Sequence, residues 1–442
     1  MASLTRIALA LLVVLSSACT AAKPVTRPLT GTAPSRHTLP NGVRVVIQED
    51  RTGEVVALQL WVKAGARDEA ASELGMAHYL EHMLFKGTAT RPTGFIDRDV
   101  EGVGGRMNAG TSLDYTYYHM LLPAHRALAG IETLADISVN ASLDAGALES
   151  EKRVVLEEMR FGDDNPQRFL SRQLYAAAFP GHPYGRPVIG RPEIISQLTH
   201  EQLVGFYRRH YVPEAFTLVV VGAVRGEDVL EVASRTFGKQ TRVASPREPI
   251  SPTPVARRVR LEIPRPISQT YLAVGWLAPR IAHADAPAVD LVTFILGQGR
   301  GSRLTQALRE RLGVVNSVSS AYSALEGGGL VSVTAQLDRA NLERTEQALL
   351  EEVRRLRAEG VTETERRHAV TAAESRRAFL SETTEGRARL FGHASTVWSI
   401  EEELAYIHRL RSLTLDQLRA AARQYLDPDH YVRVALVPQG AR

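Results

Sequence analysis

Apolar side chains recur every three or four positions between residues 75 and 88, the spacing that places them on one face of a helix. A second face carries His78, Glu81 and His82, and Gly87 follows as a predicted helix stop. Because His78 and His82 lie four positions apart, their imidazoles point the same way and can share one Zn²⁺. Glu81 lies beside them, where it can take a proton from a bound water. The apolar face consists of Met76, Tyr79, Leu80, Met83 and Leu84.

The order H-x-x-E-H, with the glutamate before the second histidine, is the signature of the inverted zinc peptidases. The pattern also has a plain structural interpretation, in which two histidines on a buried helix are satisfied by ordinary hydrogen bonds. A third metal ligand and an element that holds a substrate, found elsewhere in the chain, would decide between these interpretations.

Strand patterns lie on both sides of this helix. Asn41 and Gly42 form a tight-turn signal that leads into a β-branched run, and residues 56–62 predict a second strand. Residues 104–123 alternate between two faces and are predicted to form one strand. One face of that strand carries Leu113, Tyr115, Tyr117, His119 and Leu121.

Helices predicted over residues 124–140 and 146–162 supply candidates for the third ligand. Glu151 and Glu158 lie seven positions apart, two turns along one face of the second helix. Catalytic zinc sites commonly combine two histidines, one glutamate and a water, so either Glu158 or Glu157 is a candidate. In the alternative interpretation these carboxylates form surface ion pairs with Lys152, Arg153 and Arg160.

The composition, with 44% hydrophobic and 23% charged residues, is that of a globular protein. A length of 442 residues implies two or more domains. The formal net charge is only +4, and the chain contains no run of lysines and arginines of the kind that binds nucleic acid. A nucleic-acid partner is therefore not expected.

Residues 1–19 are typical of a secretory signal, because Arg6 precedes an apolar run over residues 7–15 that is too short to span a membrane. Cys19, the only cysteine, follows small residues in the manner of a bacterial lipobox and predicts a lipid anchor. The alternative is ordinary cleavage nearby, which leaves a soluble secreted protein. Residues 20–35, rich in Thr, Ala and Pro, are predicted to tether the fold. We expect an exported protein, periplasmic or an outer-membrane lipoprotein of a bacterium.

The two halves of the chain repeat each other at a constant offset of 215 residues. The offset predicts an α+β protein with two homologous domains, each an antiparallel or mixed sheet packed with helices. We place a catalytic zinc-binding domain at residues 36–235, a proline-rich linker at 236–258 and the second domain at 259–442. The second half has no H-x-x-E-H, so it is predicted to be a degenerate, non-catalytic copy. The matched pairs are Trp61 with Trp276, Leu198 with Leu413, Thr199 with Thr414, Gln202 with Gln417, Leu203 with Leu418, and Pro213 with Pro428.

Taken in order, the motifs resemble the pitrilysin family of zinc metallopeptidases, to which insulysin and mitochondrial processing peptidase belong. The resemblance extends over residues 36–438 and is densest over 75–190. It is carried by His78-x-x-Glu81-His82, by Asn108-Ala-Gly-Thr111-Ser112-x-Asp114-x-Thr116-x-Tyr118, by Glu151 with Glu158, by residues 179–190 and by Tyr211-Val-Pro213.

The resemblance implies a role for each residue of the metal site, with one Zn²⁺ per chain. The two histidine ligands of the family fall on His78 and His82, and its third ligand falls on Glu158 rather than on the glutamate before it. The general base of the family falls on Glu81. Glu151 matches a carboxylate that supports the site from behind the ligands.

The resemblance also implies where a peptide substrate binds. Asn108, Ala109 and Thr111 match the strand edge on which an extended peptide is held by β-augmentation. In the second half, Arg309 matches an arginine that contacts substrate near the scissile carbonyl, but Asn316 stands where the family has a tyrosine. Two-domain members act as dimers. A homodimer, or a heterodimer with a homologous subunit that supplies the tyrosine, is therefore expected.

Together these features predict a zinc-dependent endopeptidase that hydrolyses extended peptides or unfolded segments outside the cytoplasm. The competing interpretation is a non-catalytic scaffold or partner subunit of a peptidase-like assembly. Relatives with that role tend to have lost metal-site residues, whereas this chain keeps all of the site histidines and carboxylates, so the enzyme is favoured.

Overall fold

The computed structural model describes residues 32–243, 247–250 and 258–440, which contain two β-sheets covered by helices. The strands of the first sheet are β1 (Ser35–Thr38), β2 (Arg44–Glu49), β3 (Val55–Val62), β4 (Arg106–Thr111), β5 (Thr116–Pro123) and β6 (Phe216–Gly222). Those of the second sheet are β7 (Val259–Arg265), β8 (Thr270–Ala278), β9 (Ser317–Ala324), β10 (Gly329–Leu337) and β11 (Val432–Pro438).

Both sheets follow one plan. The strand order is β1-β2-β6-β3-β5-β4 in the first sheet and β7-β11-β8-β10-β9 in the second, so every strand except β1 has a counterpart. Each sheet has one parallel pair, β2 with β6 and β7 with β11, while its other pairs are antiparallel. The predicted α+β class with two homologous domains is confirmed.

Helices pack on both sheets. Those of the first half are α1 (Met76–Leu84), α2 (Phe95–Glu101), α3 (Ala127–Val139), α4 (Ala145–Asp164), α5 (Pro166–Ala178), α6 (Pro192–Gln197), α7 (His200–His210) and α8 (Gly226–Thr236). Those of the second half are α9 (Ala286–Gly297), α10 (Leu342–Glu359), α11 (Glu363–Glu382), α12 (Thr384–Val397), α13 (Ile400–Ser412) and α14 (Leu415–Tyr425). Asn165 separates α4 from α5, because its side chain accepts a hydrogen bond from the backbone N–H of Arg168 and Pro166 follows it.

The helices predicted over 124–140 and 146–162 correspond to α3 and α4. The single strand predicted over 104–123 is wrong, because the chain reverses at residues 112–115 and β4 pairs antiparallel with β5. That turn contains neither Gly nor Pro. It is closed by a 2.8 Å hydrogen bond from the Ser112 N–H to the Tyr115 carbonyl, a contact that alternation alone does not predict.

The sequence repeat corresponds to repeated local structure. Thr199 caps α7, and the Gln202 side chain accepts a hydrogen bond from the Thr199 N–H in return. Thr414 and Gln417 form the same capping box at the start of α14. The equivalent helices α7 and α14 thus begin with the same local structure.

Each half nevertheless contributes one helix to the other half's sheet. α5, from the first half, packs on β8 and β11, whereas α12, from the second half, packs on β3 and β6. Leu174 of α5 thus belongs to one buried cluster with Leu330 and Val434. Phe391 of α12 is buried with Trp61 of the first sheet. Each half therefore completes a buried core on the sheet of the other half.

A buried ion pair secures the exchange, since Arg387 of α12 pairs with Asp50 just after β2.

The predicted signal segment with Cys19 and most of the tether lie outside the described residues, as do residues 244–246 and 251–257 of the predicted linker. The domain limits therefore stay predictions. Among the described residues, no helix has the length and apolarity needed to cross a membrane.

Candidate metal centre

The predicted metal ligands come together where α1 lies beside α4. The Oε2 atom of Glu158 is 3.6 Å from Nε2 of His78 and 3.6 Å from Nε2 of His82. These separations are long for hydrogen bonds, yet two ligands of a tetrahedral Zn²⁺ with bonds of about 2.1 Å lie about 3.4 Å apart. The donor atoms of the three residues all lie within 4.8 Å of one another. The donor set and its spacing therefore suit a zinc ion.

Glu157, which residue chemistry alone left open as a third ligand, points elsewhere. Its carboxylate forms an exposed ion pair with Arg160, at 2.9 Å. One step along a helix turns a side chain by about 100°, so only one of two adjacent glutamates can face α1. The structure brings Glu158 to the histidines.

Glu151 lies behind the ligands and is buried. Its Oε1 is 2.8 Å from Nδ1 of His82, which leaves Nε2 of that ring directed at Glu158. Its Oε2 is 2.6 Å from the Lys86 ammonium. Sequence reasoning missed Lys86, although its place four residues after His82 is a usable signal.

The surroundings shift the pKa values of the two histidines in opposite directions. Burial lowers the pKa of His78 to about 4, and the neighbouring His82 adds to this effect. Burial also opposes protonation of His82, but its hydrogen bond to Glu151 and the nearby carboxylate of Glu158 outweigh burial and raise its pKa to about 9. The carboxylates thus favour a positive charge on His82, whereas burial disfavours one on His78.

Glu81 is oriented by a residue of the neighbouring strand. The Thr111 hydroxyl, at the end of β4, donates a 2.5 Å hydrogen bond to Oε2 of Glu81. Burial raises the pKa of the Glu81 carboxyl, and the bond from Thr111 opposes that rise. The position of Thr111 was predicted to hold substrate. Its hydroxyl is engaged by Glu81, so a substrate contact there would use the main chain.

Strand β4, with Asn108 and Ala109, forms the free edge of the first sheet. Met107 and Ala109 pack on the core that contains α1, on the same face as Thr111. Asn108 is exposed on the other face, opposite His119, and its side-chain oxygen accepts a 2.8 Å hydrogen bond from the Ala109 N–H. The open edge of β4 therefore runs beside the metal centre.

Arg309 and Asn316 belong to the second half of the chain, whereas the metal ligands belong to the first half. Arg309 is exposed in a π-helical segment, Thr305–Arg311, and Asn316 is exposed just before β9. The Asn316 N–H donates a 2.7 Å hydrogen bond to the carbonyl of Gln336. Within the described parts of the chain, neither side chain has a hydrogen bond to the residues of the metal centre. Their substrate contacts stay predictions.

Glu69 is a second residue that sequence reasoning missed. Its buried carboxylate accepts hydrogen bonds of 2.9 Å from the N–H groups of Gly75 and Ala77, at the start of α1. Burial raises its pKa to about 8, against these two bonds. Gly75 has a φ of 95°, and a Cβ there would lie 2.7 Å from Cα of Gly190. The backbone at the start of α1 is thus closely constrained. The sequence signal for the role of Glu69 was an acidic residue shortly before a predicted helix start.

Comparisons with known proteins identify the family of the chain. The family model described as Insulinase (Peptidase family M16) matches residues 44–191, and the one described as Peptidase M16 inactive domain matches residues 197–372. An uncharacterized zinc protease of Mycobacterium tuberculosis is 32% identical, over 94% of this chain and 95% of its own. An uncharacterized zinc protease of Bacillus subtilis is 26% identical, over 92% of this chain and 98% of its own.

Solved structures show the same fold. A protease from Helicobacter pylori aligns with a TM-score of 0.87 and 23% identity, over 92% of this chain and 100% of the other. A peptidase M16 inactive domain from Pseudomonas fluorescens aligns with a TM-score of 0.83 and 21% identity, over 93% and 100% of the two chains. The predicted resemblance is confirmed, and the chain belongs to peptidase family M16, its second half matching the inactive domain of that family.

Proposed function

We propose that the protein is a zinc-dependent endopeptidase that cleaves extended peptides or unfolded segments. One observation carries this proposal: His78, His82 and Glu158 converge on one point, with Glu81 beside it and the free edge of β4 alongside. A metal site for storage would be closed by a fourth protein ligand, whereas three ligands leave a position open.

The residues that would hold the metal are His78, His82 and Glu158. When bound, zinc lowers the pKa of water towards neutrality and polarises a carbonyl oxygen. Glu151, supported by Lys86, keeps the second imidazole in the orientation that directs Nε2 at the site. This chain thus supplies both the donor atoms and the groups that orient them.

Glu81 is the proposed general base. Its carboxylate accepts a proton from the attacking water and later returns that proton to the leaving amine nitrogen. The raised pKa of its carboxyl suits this exchange, because the proton must be both taken up and released. The Thr111 hydroxyl holds Oε2 and leaves Oε1 to meet the water.

The edge of β4 is the proposed substrate platform. Main-chain groups at a sheet edge can pair with an added extended segment whatever its sequence, which suits an enzyme for unfolded peptides. Asn108 and Ala109 lie in the middle of this edge. A folded substrate would not offer a free strand, so we expect selectivity for flexible segments.

The proposal extends to place and partners. We infer export to the periplasm or anchoring at Cys19 as an outer-membrane lipoprotein, from the signal-like residues 1–19. A homodimer or a heterodimer with a homologous subunit is proposed because Arg309 and Asn316 belong to the half without the metal ligands. Asn316 has a shorter donor than the family's tyrosine, and a partner subunit would supply that tyrosine.

Peptide cleavage by a chain that begins after Cys19 tests the function. We expect hydrolysis of an unstructured peptide, loss of hydrolysis with a chelator, and recovery on adding zinc. Glu81→Gln should keep its zinc and lose about 100-fold or more in rate. Equal rates for the variant and the natural chain would refute the assignment of the base. Metal-bound protein without any hydrolysis would favour the scaffold interpretation.

A mixing experiment tests the partner. If a homologous subunit supplies a missing tyrosine, the rate of the chain alone should rise when that subunit is added. Asn316→Tyr should then raise the rate of the chain alone and reduce its response to the partner. A chain that is equally fast alone and mixed would contradict the heterodimer.

A further inference from the structure

The turn between β4 and β5 is held by the second half of the chain. Asp114, in this turn, is only 2% exposed. Its Oδ1 accepts a 2.6 Å hydrogen bond from the Tyr184 hydroxyl, and its Oδ2 accepts a 2.9 Å bond from the backbone N–H of Glu326. Glu326 lies in the turn between β9 and β10. A buried carboxylate therefore joins the hairpin turns of the two sheets.

Tyr184 makes the same connection a second time. Its hydroxyl donates to Asp114 and also accepts a 2.8 Å hydrogen bond from the N–H of Gly327, so it bridges both turns. The Tyr184 side chain is completely buried. Gly65 also packs closely on this turn, because a Cβ there would lie 2.6 Å from the carbonyl oxygen of Ser112. The β4–β5 turn is thus in close contact with the β9–β10 turn and with the segment at Gly65.

Charged side chains reinforce the junction. The Lys63 ammonium lies 2.8 Å from Oε1 of Glu326, and Nη1 of Arg67 lies 3.3 Å from its Oε2. Arg247, from the segment that joins the halves, pairs with the same carboxylate and donates a 2.7 Å hydrogen bond to the carbonyl of Asp114. Arg67 and Asp114 are buried, while Lys63, Arg247 and Glu326 are partly exposed. Paired charges of this kind resist separation, because losing one partner leaves the others unpaired.

The two turns belong to the edge strands of their sheets. β4 is the proposed substrate platform. Thr111, at the end of β4 and three residues before Asp114, orients Glu81. β9, with Asn316 just before it, is the edge of the second sheet. We propose that the contact between these turns fixes β4 in its working position, so the metal-free half is a positioning element for the active site of its own chain.

Tyr184 and Asp114 are positioning residues in this proposal, which rests on the proposed function for its substrate. In the described structure neither has a hydrogen bond to the metal centre. The test compares Tyr184→Phe with Tyr406→Phe in the full chain. The Tyr406 hydroxyl donates a 2.7 Å hydrogen bond to Asp290 within the second half, so the control loses a similar bond away from β4.

Amide hydrogen exchange over residues 106–111 is the first readout. Losing a bridging hydrogen bond should speed exchange about five- to tenfold in Tyr184→Phe, and Tyr406→Phe should match the natural chain there. KM for an unstructured peptide should rise about fivefold in Tyr184→Phe alone, at unchanged zinc content. Equal exchange over residues 106–111 in both variants would overturn the proposal.

A second variant covers failure to fold. Asp114→Asn keeps the size of the side chain but loses one acceptor, and it should speed exchange over residues 106–111 in the same way. The exchange readout needs no catalysis. If the natural chain cleaves no peptide, the proposed function fails, while exchange in the Tyr184 and Asp114 variants still decides whether the turns position β4.

Discussion

Oε1 of Glu151 lies 2.8 Å from Nδ1 of His82, the ring nitrogen that faces away from Glu158. This contact joins α4 to α1 and fixes which nitrogen of the ring is presented to a metal. Glu151→Gln should lower zinc affinity about 10- to 100-fold, because the amide orients the ring less firmly and lacks the charge. Glu149→Gln, which alters an exposed partner of Lys152, should leave affinity unchanged. Competition against a zinc-sensitive dye measures both.

The adjacent glutamates of α4 provide a second comparison. Glu158→Gln should reduce zinc affinity by more than about 100-fold, since a direct ligand matters more than the group behind it. Glu157→Gln disturbs an exposed pair with Arg160 and should bind zinc like the natural chain. Metal content after dialysis would separate the two. Equal losses would contradict the rotation of α4 that directs Glu158, and not Glu157, at the histidines.

Thr111 should affect rate more than metal binding. Thr111→Val removes the hydroxyl that holds Glu81, and kcat should fall about tenfold, the equivalent of about 1.4 kcal/mol. Thr111→Ser keeps the hydroxyl and should restore most of the rate. Zinc content should be the same in both variants. A valine variant as fast as the serine variant would mean that Glu81 needs no such support.

The packing of α12 on the first sheet depends on Gly392. A Cβ at Gly392 would lie 1.9 Å from Nε1 of the fully buried Trp61, so a methyl group has no room. Gly392→Ala should lower the free energy of unfolding by about 3 kcal/mol. Gly301→Ala is the control, since no atom of the described residues lies within 4 Å of its Cβ. Urea unfolding followed by tryptophan fluorescence measures both, and equal midpoints would contradict the packing.

Stability should depend on pH through Glu365, at the start of α11. Burial would raise the pKa of its carboxyl, but Arg303, at 2.7 and 2.9 Å, and the Thr362 N–H lower it to about 2. A lowered folded-state pKa stabilises above the unfolded pKa, and that stabilisation is lost as pH falls from about 4.5 towards 2. Glu365→Gln should therefore cost about 2 kcal/mol at pH 7 and less than half as much at pH 3.

The control for this effect is Glu351→Gln, because Glu351 forms an exposed pair with Arg354. Its free energy of unfolding should follow that of the natural chain across the same pH range. Urea titrations at pH 7, 5 and 3 supply the comparison. A difference between the Glu365 variant and the natural chain that stays constant with pH would contradict the lowered pKa.

The parts of the metal centre that were predictable from residues are those set within one helix. His78, Glu81 and His82 share α1, and their relation follows from helical spacing alone. The choice between Glu157 and Glu158 depends on how α4 is rotated against α1, which is tertiary information. The family resemblance supplied that choice, and the 3.6 Å separations agree with it.

The support for Glu81 and for α1 was not predictable in the same way. The bond from Thr111 to Glu81 requires the β4–β5 hairpin, whose turn has no Gly or Pro to announce it. Glu69 reaches the start of α1 from an irregular segment. The packing of α5 and α12 on the sheet of the other half is likewise tertiary information.

The crossing of α5 and α12 also suggests how such a chain arises. A half that packed only on itself would be a self-sufficient unit, and two such units would need no contact. Here a single ancestral copy would leave one face of its sheet uncovered, unless two copies formed a domain-swapped dimer by exchanging helices. The chain has the layout of that traded pair fused end to end. The second half has no H-x-x-E-H, yet the first sheet still requires its helix α12 for cover.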